Sequence, residues 1–421
     1  MKKKFFYFDY ASTTPIEQKH VFRAMEPYLK NEFGNPSSLY ELGRRSKVAI
    51  QKSLERISGV LRCKPDEFIF TGSATEADNL AIEGVAMTNK EKGHKIIVSN
   101  IEHKGILSIC NFLKKQGFEI LELKVQKNGL LNPKHLEKLV DGKTILVSLT
   151  YADSETGTIQ PISDLVGVVK RFRKEKKSDF PYFHTDASQT ALYLELGVDN
   201  LGIDLMTLSA HKAYGPKGIG GLYIRRGINI KPIIYGGGQQ GNLRSGTENI
   251  PGIVGFGEAF FLANKNKKKE FLRIKKLRDK LERGIFQKIP KVILNGHPKK
   301  RLPNFLNISI LDIEGEALIL YLDRLSIMVS TGSACNSESL EPSYILSALR
   351  RPYEFIHGSL RFTLGKYTKD SDINYVLKKL PAVVKKLRAV SPLNLSLNAK
   401  NKILEPKAFI GGQAPHFLRK K

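Results

Sequence analysis

Five neighbouring stretches decide the fold: TILVSLTYA (144–152), PISDLVGVVKRFRKEKK (161–177), FPYFHTDAS (180–188), DLMTLSAHK (204–212) and GGLYIRR (220–226). Four are short apolar runs of strand length. The second spaces its apolar residues as a helix does and ends in basic residues. Working outward, DEFIFTGS (66–73) is a strand running into a small-residue turn, and ATEADNLAIEGVAMTNK (74–90) reads as a helix. KIIVSN (95–100) is a strand, a helix follows through Lys115, and FEILELKV (118–125) is another strand. Strands alternating with helices require crossovers and a mostly parallel sheet. Ligands on such sheets sit at the carboxyl ends of the strands.

After about Pro251 the pattern changes. A long helix is expected over 252–288, then strands at FLNISIL (305–311) and SIMVSTG (326–332), then helices at SYILSALR (343–350) and DINYVLKKLPAVVKKLRAV (372–390). This reads as a smaller α+β domain. The expected division is 15–255 for the large α/β domain, 1–14 with 256–392 for the small one, and 393–421 for a loosely ordered basic tail. There is no internal repeat.

Composition narrows the class. The 421 residues are 41% hydrophobic and 26% charged, which excludes global disorder. Three cysteines (Cys63, Cys110, Cys335) exclude a disulfide scaffold, and their spacing matches no zinc pattern, so no metal site is expected. No apolar run is long enough to span a membrane, and the N-terminus lacks the apolar core of a signal peptide. The expectation is a cytoplasmic protein without a membrane partner. The formal net charge is +27, which suits polyanions. It is spread over 171–177, 264–283 and the tail. In 264–283, Phe271, Ile274, Leu277 and Leu281 fall at helical spacing, leaving a solvated basic face. No aromatic-basic RNA motif accompanies it, so direct nucleic-acid binding is not expected.

Six places carry chemistry. Lys212 ends a strand in Ser209-Ala210-His211-Lys212, followed by a Gly/Pro loop. A lysine at this edge can form a Schiff base with an aldehyde cofactor, although most lysines only solvate a surface. Asp186, at the end of its strand, can pair with a pyridinium nitrogen or simply cap a helix. Thr71–Asn79 is a strand–turn–helix with small residues, suited to phosphate or to plain capping by Ser73 or Thr75. His103 follows another strand and can stack on a ring or move a proton. Gly236–Thr247 is a glycine loop with Arg and hydroxyl donors, again suited to phosphate. Cys335 lies in STGSAC (330–335) among small polar residues, as in an exposed, mobile loop, whereas Cys63 and Cys110 sit near apolar patterns and read as packing residues.

Taken in order, these residues resemble the pyridoxal-phosphate-dependent cysteine desulfurases of the NifS/IscS-like branch. The likeness runs from YFDYASTTP (7–15) to about Ser391 and takes in FGNPSSLYELG, FTGSATEADNLAIEG, EHKGIL, SAHKAYGPKGIGGLY, RSGTEN, LEPSYILSAL and SLRFTLGKYT. It implies a fold-type I homodimer: a large domain with a mostly parallel central sheet flanked by helices, plus a smaller α+β C-terminal domain. It implies that Lys212 holds pyridoxal 5'-phosphate, Asp186 pairs with its ring nitrogen and Gln189 bonds its phenolic oxygen. His103 stacks on the ring and moves protons. Ala74, Thr75, Ser209 and His211 hold the phosphate, with Thr247 from the other subunit. Arg361 binds the carboxylate of L-cysteine, and Cys335 takes the sulfur as a persulfide. The product is alanine, and the sulfur passes to an iron–sulfur scaffold or a tRNA-thiolation protein. A related lyase acting on selenocysteine or cystine-type substrates, or a weakly active scaffold, are the alternatives.

The chain departs from that pattern at two places. Where the family has Asn-Asn-Glu-x-Gly, this chain has Asp153-Ser154-Glu155-Thr156-Gly157. Ser154 therefore stands where an amide reaches the cofactor and substrate. In the glycine loop, Gln240-Gly241-Asn242 replaces a charged Glu-Arg pair. The tail does not resemble the family's usual ending.

Overall fold

The computed structural model describes residues 4–331, 342–392, 395–397 and 403–404. In chain order the strands are β1 (Phe6–Tyr7), β2 (Phe68–Thr71), β3 (Lys95–Ser99), β4 (Glu119–Leu123), β5 (Thr144–Ser148), β6 (Tyr182–Asp186), β7 (Leu205–Ser209), β8 (Gly220–Ile224), β9 (Val292–Leu294), β10 (Phe305–Ile310), β11 (Ile327–Met328) and β12 (Ser359–Thr363). The helices are α1 (Arg23–Lys30), α2 (Glu41–Leu61), α3 (Ala74–Thr88), α4 (Lys104–Lys115), α5 (Pro133–Leu139), α6 (Ile162–Lys176), α7 (Val198–Leu201), α8 (Ile250–Lys288), α9 (Gly315–Arg324), α10 (Tyr344–Ala348), α11 (Tyr353–His357) and α12 (Asp370–Val390).

Seven strands form the central sheet in the order β2-β8-β7-β6-β5-β3-β4. From β7 to β4 all neighbours are parallel, while β8 runs antiparallel to β7 and β2. The reason lies in chain length. Only residues 210–219 separate β7 from β8, fewer than the dozen or so that a parallel crossover needs.

Alternation along each strand feeds two layers. Phe68, Phe70, Ile97, Met206, Leu208 and Tyr223 enter the core shared with α2, α6 and the start of α8. Ile69, Ile96, Val98, Leu205, Leu222 and Ile224 enter the opposite core with α3 and α4. Burial on both faces explains why these strands read as continuous apolar runs. The fold is thus α/β, a mostly parallel sheet between helical layers.

A second core forms where β9, β10 and β12 pair antiparallel and α8, α9 and α12 cover them. β1 pairs with β11, which brings the N-terminal segment to this body. The 39-residue helix α8 serves both cores. Ile253, Val254, Phe256 and Phe260 pack on the large sheet, and Ile274, Leu277, Leu281 and Ile285 on the second core.

Three expectations are modified. Of SIMVSTG, only Ile327–Met328 are strand among the described residues 326–331. SYILSALR is helical at α10, but Ile345 and Leu349 pack on the large-sheet core. The tail begins packed: Leu395 is buried against Ile293, Leu311 and Phe355, and Ser396–Leu397 pairs antiparallel with Ile403–Leu404. The rest of the expected tail lies outside the described residues. On α8 the basic face has two exceptions, because long apolar stems can bury. Lys267 is buried with its Nζ 3.6 Å from Glu195, and Arg278 donates to the carbonyls of Leu302 and Phe305 at 3.3 and 3.4 Å. Among the described residues no helix is long and apolar enough to cross a membrane, and no cluster fits a metal ion.

Candidate active site

The carboxyl ends of β2, β3, β5, β6 and β7 share one edge of the sheet, as their directions require. Beyond them lie the α3 N-terminus, His103, Ser154, Asp186 and Lys212 respectively.

Lys212 closes a single 3-10 turn, Ala210–Lys212, after β7. Its Nζ donates to the carbonyls of Ala11 and Ser12 at 2.5 and 2.8 Å. Those carbonyls belong to the N-terminal segment, which β12 fixes in place. Thr363 N–H donates to the Phe8 carbonyl at 2.7 Å, and Ala11 N–H to Thr363 Oγ1 at 2.9 Å. The same segment meets three other candidates. Gln189 Nε2 donates to the Ala11 carbonyl at 3.0 Å, so its amide is engaged there. His211 Nδ1 lies 3.1 Å from Thr13 Oγ1. Arg361, 5% exposed on β12, donates from Nη2 to Asp9 Oδ1 at 2.7 Å and to Ser12 Oγ at 2.8 Å. Its Nη1 donates to the Ser154 carbonyl at 2.8 Å, and its Nε is buried without a hydrogen-bond partner. Ser154 thus meets Arg361 through its backbone.

The opposite side of the site presents donors that could hold an anion. Ser73 caps α3 by accepting from Glu76 N–H at 3.0 Å. The N–H groups of Ala74 and Thr75, in the first turn, have no partner within the helix and lie at its positive end. Ser209 Oγ is buried with no hydrogen-bond partner. Opposite Ser209 in the sheet register stands Gly220. A Cβ there would fall 2.4 Å from the Ser73 carbonyl carbon and 2.6 Å from Ala74 N. Only glycine lets β8 press against this helix start. His103 caps α4, its Nδ1 accepting from Gly105 N–H at 3.1 Å, and its ring is exposed. A Cβ on Gly105 would lie 3.2 Å from both His103 Nδ1 and Thr75 Cγ2, so His103 borders the anion side.

Asp186 ends β6, with Oδ1 accepting from Ser188 N–H at 2.8 Å. That bond closes a turn and not the helix cap the sequence allowed, since no helix follows Asp186 directly, and it leaves the other oxygen available for a ligand. Burial, with Lys212 and Lys217 acting the same way, holds the His211 imidazole down to about 4, so it is neutral near pH 7. Glu155 is fully buried. Ser343 Oγ donates to its Oε2 at 2.6 Å, while Oε1 has no partner. Burial pushes its carboxyl up to about 7, against the opposing pull of the Ser343 bond and Arg361.

Thr247 is exposed in the glycine loop. The neutral residues of that loop do specific work. Gln240 accepts from Phe70 N–H at 2.8 Å and donates to Glu248 at 3.4 Å, a pairing that a carboxylate cannot make. Arg244 pairs with Glu76 at 2.9 Å, which ties the loop to α3. Cys335 lies outside the described residues. Cys63 and Cys110 have thiols pushed up to about 12, chiefly by burial, as inert packing residues should.

Sequence reasoning missed Asp9, Ser12 and Thr13 as site residues, although the hydroxyl-rich run DYASTTP after the aromatic FFYF was the available signal. It also assigned no role to Glu155.

The chain matches the class-V aminotransferase family over residues 6–376. It is 48% identical over 390 residues to "Cysteine desulfurase IscS" of Dictyoglomus turgidum, covering 93% of this chain and 97% of that one. It is 46% identical over 392 residues to "Cysteine desulfurase IscS" of Methanosarcina thermophila, covering 93% and 95%. A solved "NifS-like protein" superposes with a TM-score of 0.85 at 34% identity, covering 91% of this chain and 100% of that chain.

Proposed function

Because the chain belongs to the class-V aminotransferase family, we propose that it is a cysteine desulfurase, converting L-cysteine to alanine and passing the sulfur through Cys335. One observation carries the reading. Lys212 Nζ binds the Ser12 carbonyl and Arg361 Nη2 binds the Ser12 hydroxyl, each at 2.8 Å. The amine that would hold an aldehyde cofactor and the guanidinium that would hold a carboxylate are therefore a single residue apart, a span that suits one amino acid.

The donor set fits pyridoxal phosphate. The orphaned Ser209 Oγ and the free first-turn N–H groups of α3 suit its phosphate, and Gly220 leaves room for them. When bound, the cofactor supplies an aldehyde and an electron sink that loosens bonds around the substrate's α-carbon. Lys212 would exchange its two carbonyl acceptors for that aldehyde. Asp186 would hold the ring nitrogen through its carboxylate. Gln189, released from Ala11, would bond the phenolic oxygen. Ala74, Thr75, Ser209 and the neutral His211 would hold the phosphate. His103, exposed beside Thr75, would cover the ring and move protons.

Arg361 would accept the substrate carboxylate as a bidentate pair. The Cys335 thiolate would attack the substrate sulfur. The carbon–sulfur bond breaks, a sulfur–sulfur bond forms on Cys335, and the carbon takes a proton to give alanine. The sulfur would pass to an iron–sulfur scaffold or a tRNA-thiolation protein. Thr247 would reach the phosphate of a second copy. Phe33, Leu39 and Tyr40, at 75%, 90% and 58% exposure, support such a homodimer.

The test is alanine and sulfide release from L-cysteine with pyridoxal phosphate and a reductant. Wild type should yield both products in equal amounts, and Cys335→Ala should yield no sulfide. A wild type that binds the cofactor yet forms neither product overturns the assignment. Full turnover by Cys335→Ala would point to a lyase.

The Ser154 departure carries its own expected result. Ser154→Asn restores a longer amide donor beside Arg361 and should lower the KM for L-cysteine roughly fivefold, the value of about one hydrogen bond. A KM that stays level or rises in steady-state assays would sink this account of the departure.

A further inference from the structure

Behind Asp186 lies a group of ionisable side chains with no part in the chemistry above. Asp78 (α3), Glu102 (between β3 and α4) and His184 (β6) are 1%, 0% and 0% exposed. Glu102 Oε1 accepts from the Ser99 hydroxyl and from Thr150 N–H, the latter at 2.9 Å. Its Oε2 is buried with no hydrogen-bond partner. Asp78 Oδ1 is equally orphaned and lies 3.7 Å from His184 Nε2. His184 is fastened on both sides, its Nδ1 2.8 Å from Ser148 Oγ and its Nε2 3.0 Å from Thr207 Oγ1. The ionisable groups acting on the two carboxyls are each other and Asp186, with His184 beside Asp78 and the Cys110 thiol of α4 facing Glu102.

Asp78 and Glu102 ionised together beside Asp186 would repel it and one another, and the two buried carboxylates would also lose their hydration. Protonation relieves both costs and turns an orphaned acceptor into a donor. Burial raises the Asp78 carboxyl well above its ordinary value, and the charge of Asp186 acts the same way. Burial also pushes Glu102 up to about 8, against its bonds from Ser99 and Thr150. His184 is held down to about 4 by burial and is neutral.

We propose that Asp78 and Glu102 are positioning residues held as neutral acids, which leave Asp186 as the one negative charge among these three carboxyls. This rests on the assignment of Asp186 made above. Asp186 must stay ionised to hold a protonated ring nitrogen, and two neutral neighbours keep its charge undiluted. Ionising Glu102 in alkali would add a second negative charge beside it.

The test is infrared spectroscopy of the full-length chain, with and without pyridoxal phosphate, read at the carbonyl band of un-ionised carboxylic acids. At pH 7 the cofactor-free wild type should show that band. Part of it should vanish as the pH rises through about 8, and Glu102→Gln should lack the share of that part that Glu155 does not supply. Asp78→Asn should lack the part that persists. Glu102→Ala should weaken pyridoxal phosphate binding about tenfold, and Glu102→Gln should restore it, because a neutral hydrogen-bonding group of the same shape suffices. No acid band in the wild type at pH 7, or a Gln variant that binds as weakly as Ala, overturns the proposal. If one of the two variants, Glu102→Gln or Asp78→Asn, fails to fold, the share of the band lost in the other decides, because Glu155 also contributes to the wild-type band. An acid band together with unchanged cofactor affinity in Asp186→Asn would refute the role of Asp186 and leave the protonation of its neighbours standing.

Discussion

Lys212→Ala is expected to release neither alanine nor sulfide from L-cysteine at a measurable rate, a loss on the order of 10³-fold or more, since the variant lacks both the cofactor attachment and its amine base. The fold should survive the change. Lys212 is only partly buried, and its Nζ donates to the carbonyls of Ala11 and Ser12. Two carbonyls losing a cationic donor can turn to water in an open site. Pyridoxal phosphate should still bind, through Ser209, the α3 N-terminus and Asp186, but without a covalent link. The variant should therefore show the absorbance of free rather than Lys-linked cofactor, and gel filtration should strip it more readily. An activity within tenfold of wild type would mean that the reaction does not pass through Lys212.

Arg361→Ala should lower kcat/KM for L-cysteine by roughly 10²- to 10³-fold, the worth of two charge-assisted hydrogen bonds at ~1.5–2 kcal/mol each. Stability should fall too, because Asp9 Oδ1 loses its guanidinium at 2.7 Å and the Ser154 carbonyl loses its donor at 2.8 Å. Removing one partner of a buried ion pair costs ~3–5 kcal/mol. Asp9 is not fully buried, which places this case at or below the low end of that range. Arg361→Lys separates the two effects. It keeps the charge near Asp9 and much of the stability, yet loses the planar fork, so KM should stay high. The assay is steady-state kinetics beside thermal unfolding of the same preparations. If Arg361→Lys matches wild type in KM, the guanidinium is a structural tie rather than the substrate's carboxylate site.

The parts of the site that lie next to one another in sequence were legible there. Ser209-Ala210-His211-Lys212 follows a buried strand directly, and Ser73 with Ala74 and Thr75 follows another. Strand ends and helix starts are local, and so is the chemistry they present. Asp9, Ser12 and Thr13 were not legible as site residues. Their near neighbours reach only their backbone carbonyls, as Tyr7 does at Asp9 and Thr13; the site groups that meet them, Lys212, Arg361 and His211, lie about 200 to 350 positions away. The antiparallel course of β8 was open to a length argument, but α10 packing on the large-sheet core was not.

By itself the sequence determined the class of fold, the edge of the sheet that carries the chemistry, and the types of residue available there. Those follow from periodicity, turn chemistry and strand ends, all set within a few residues of one another. Tertiary structure alone decided three further matters: that Ser12 joins the lysine to the arginine, that Gln240 replaces a charge by giving and accepting hydrogen bonds at once, and that Asp78 and Glu102 lie together in a dry space behind Asp186. Each depends on exclusion of water and on distances between segments far apart in the chain, and a linear pattern of residue types contains neither.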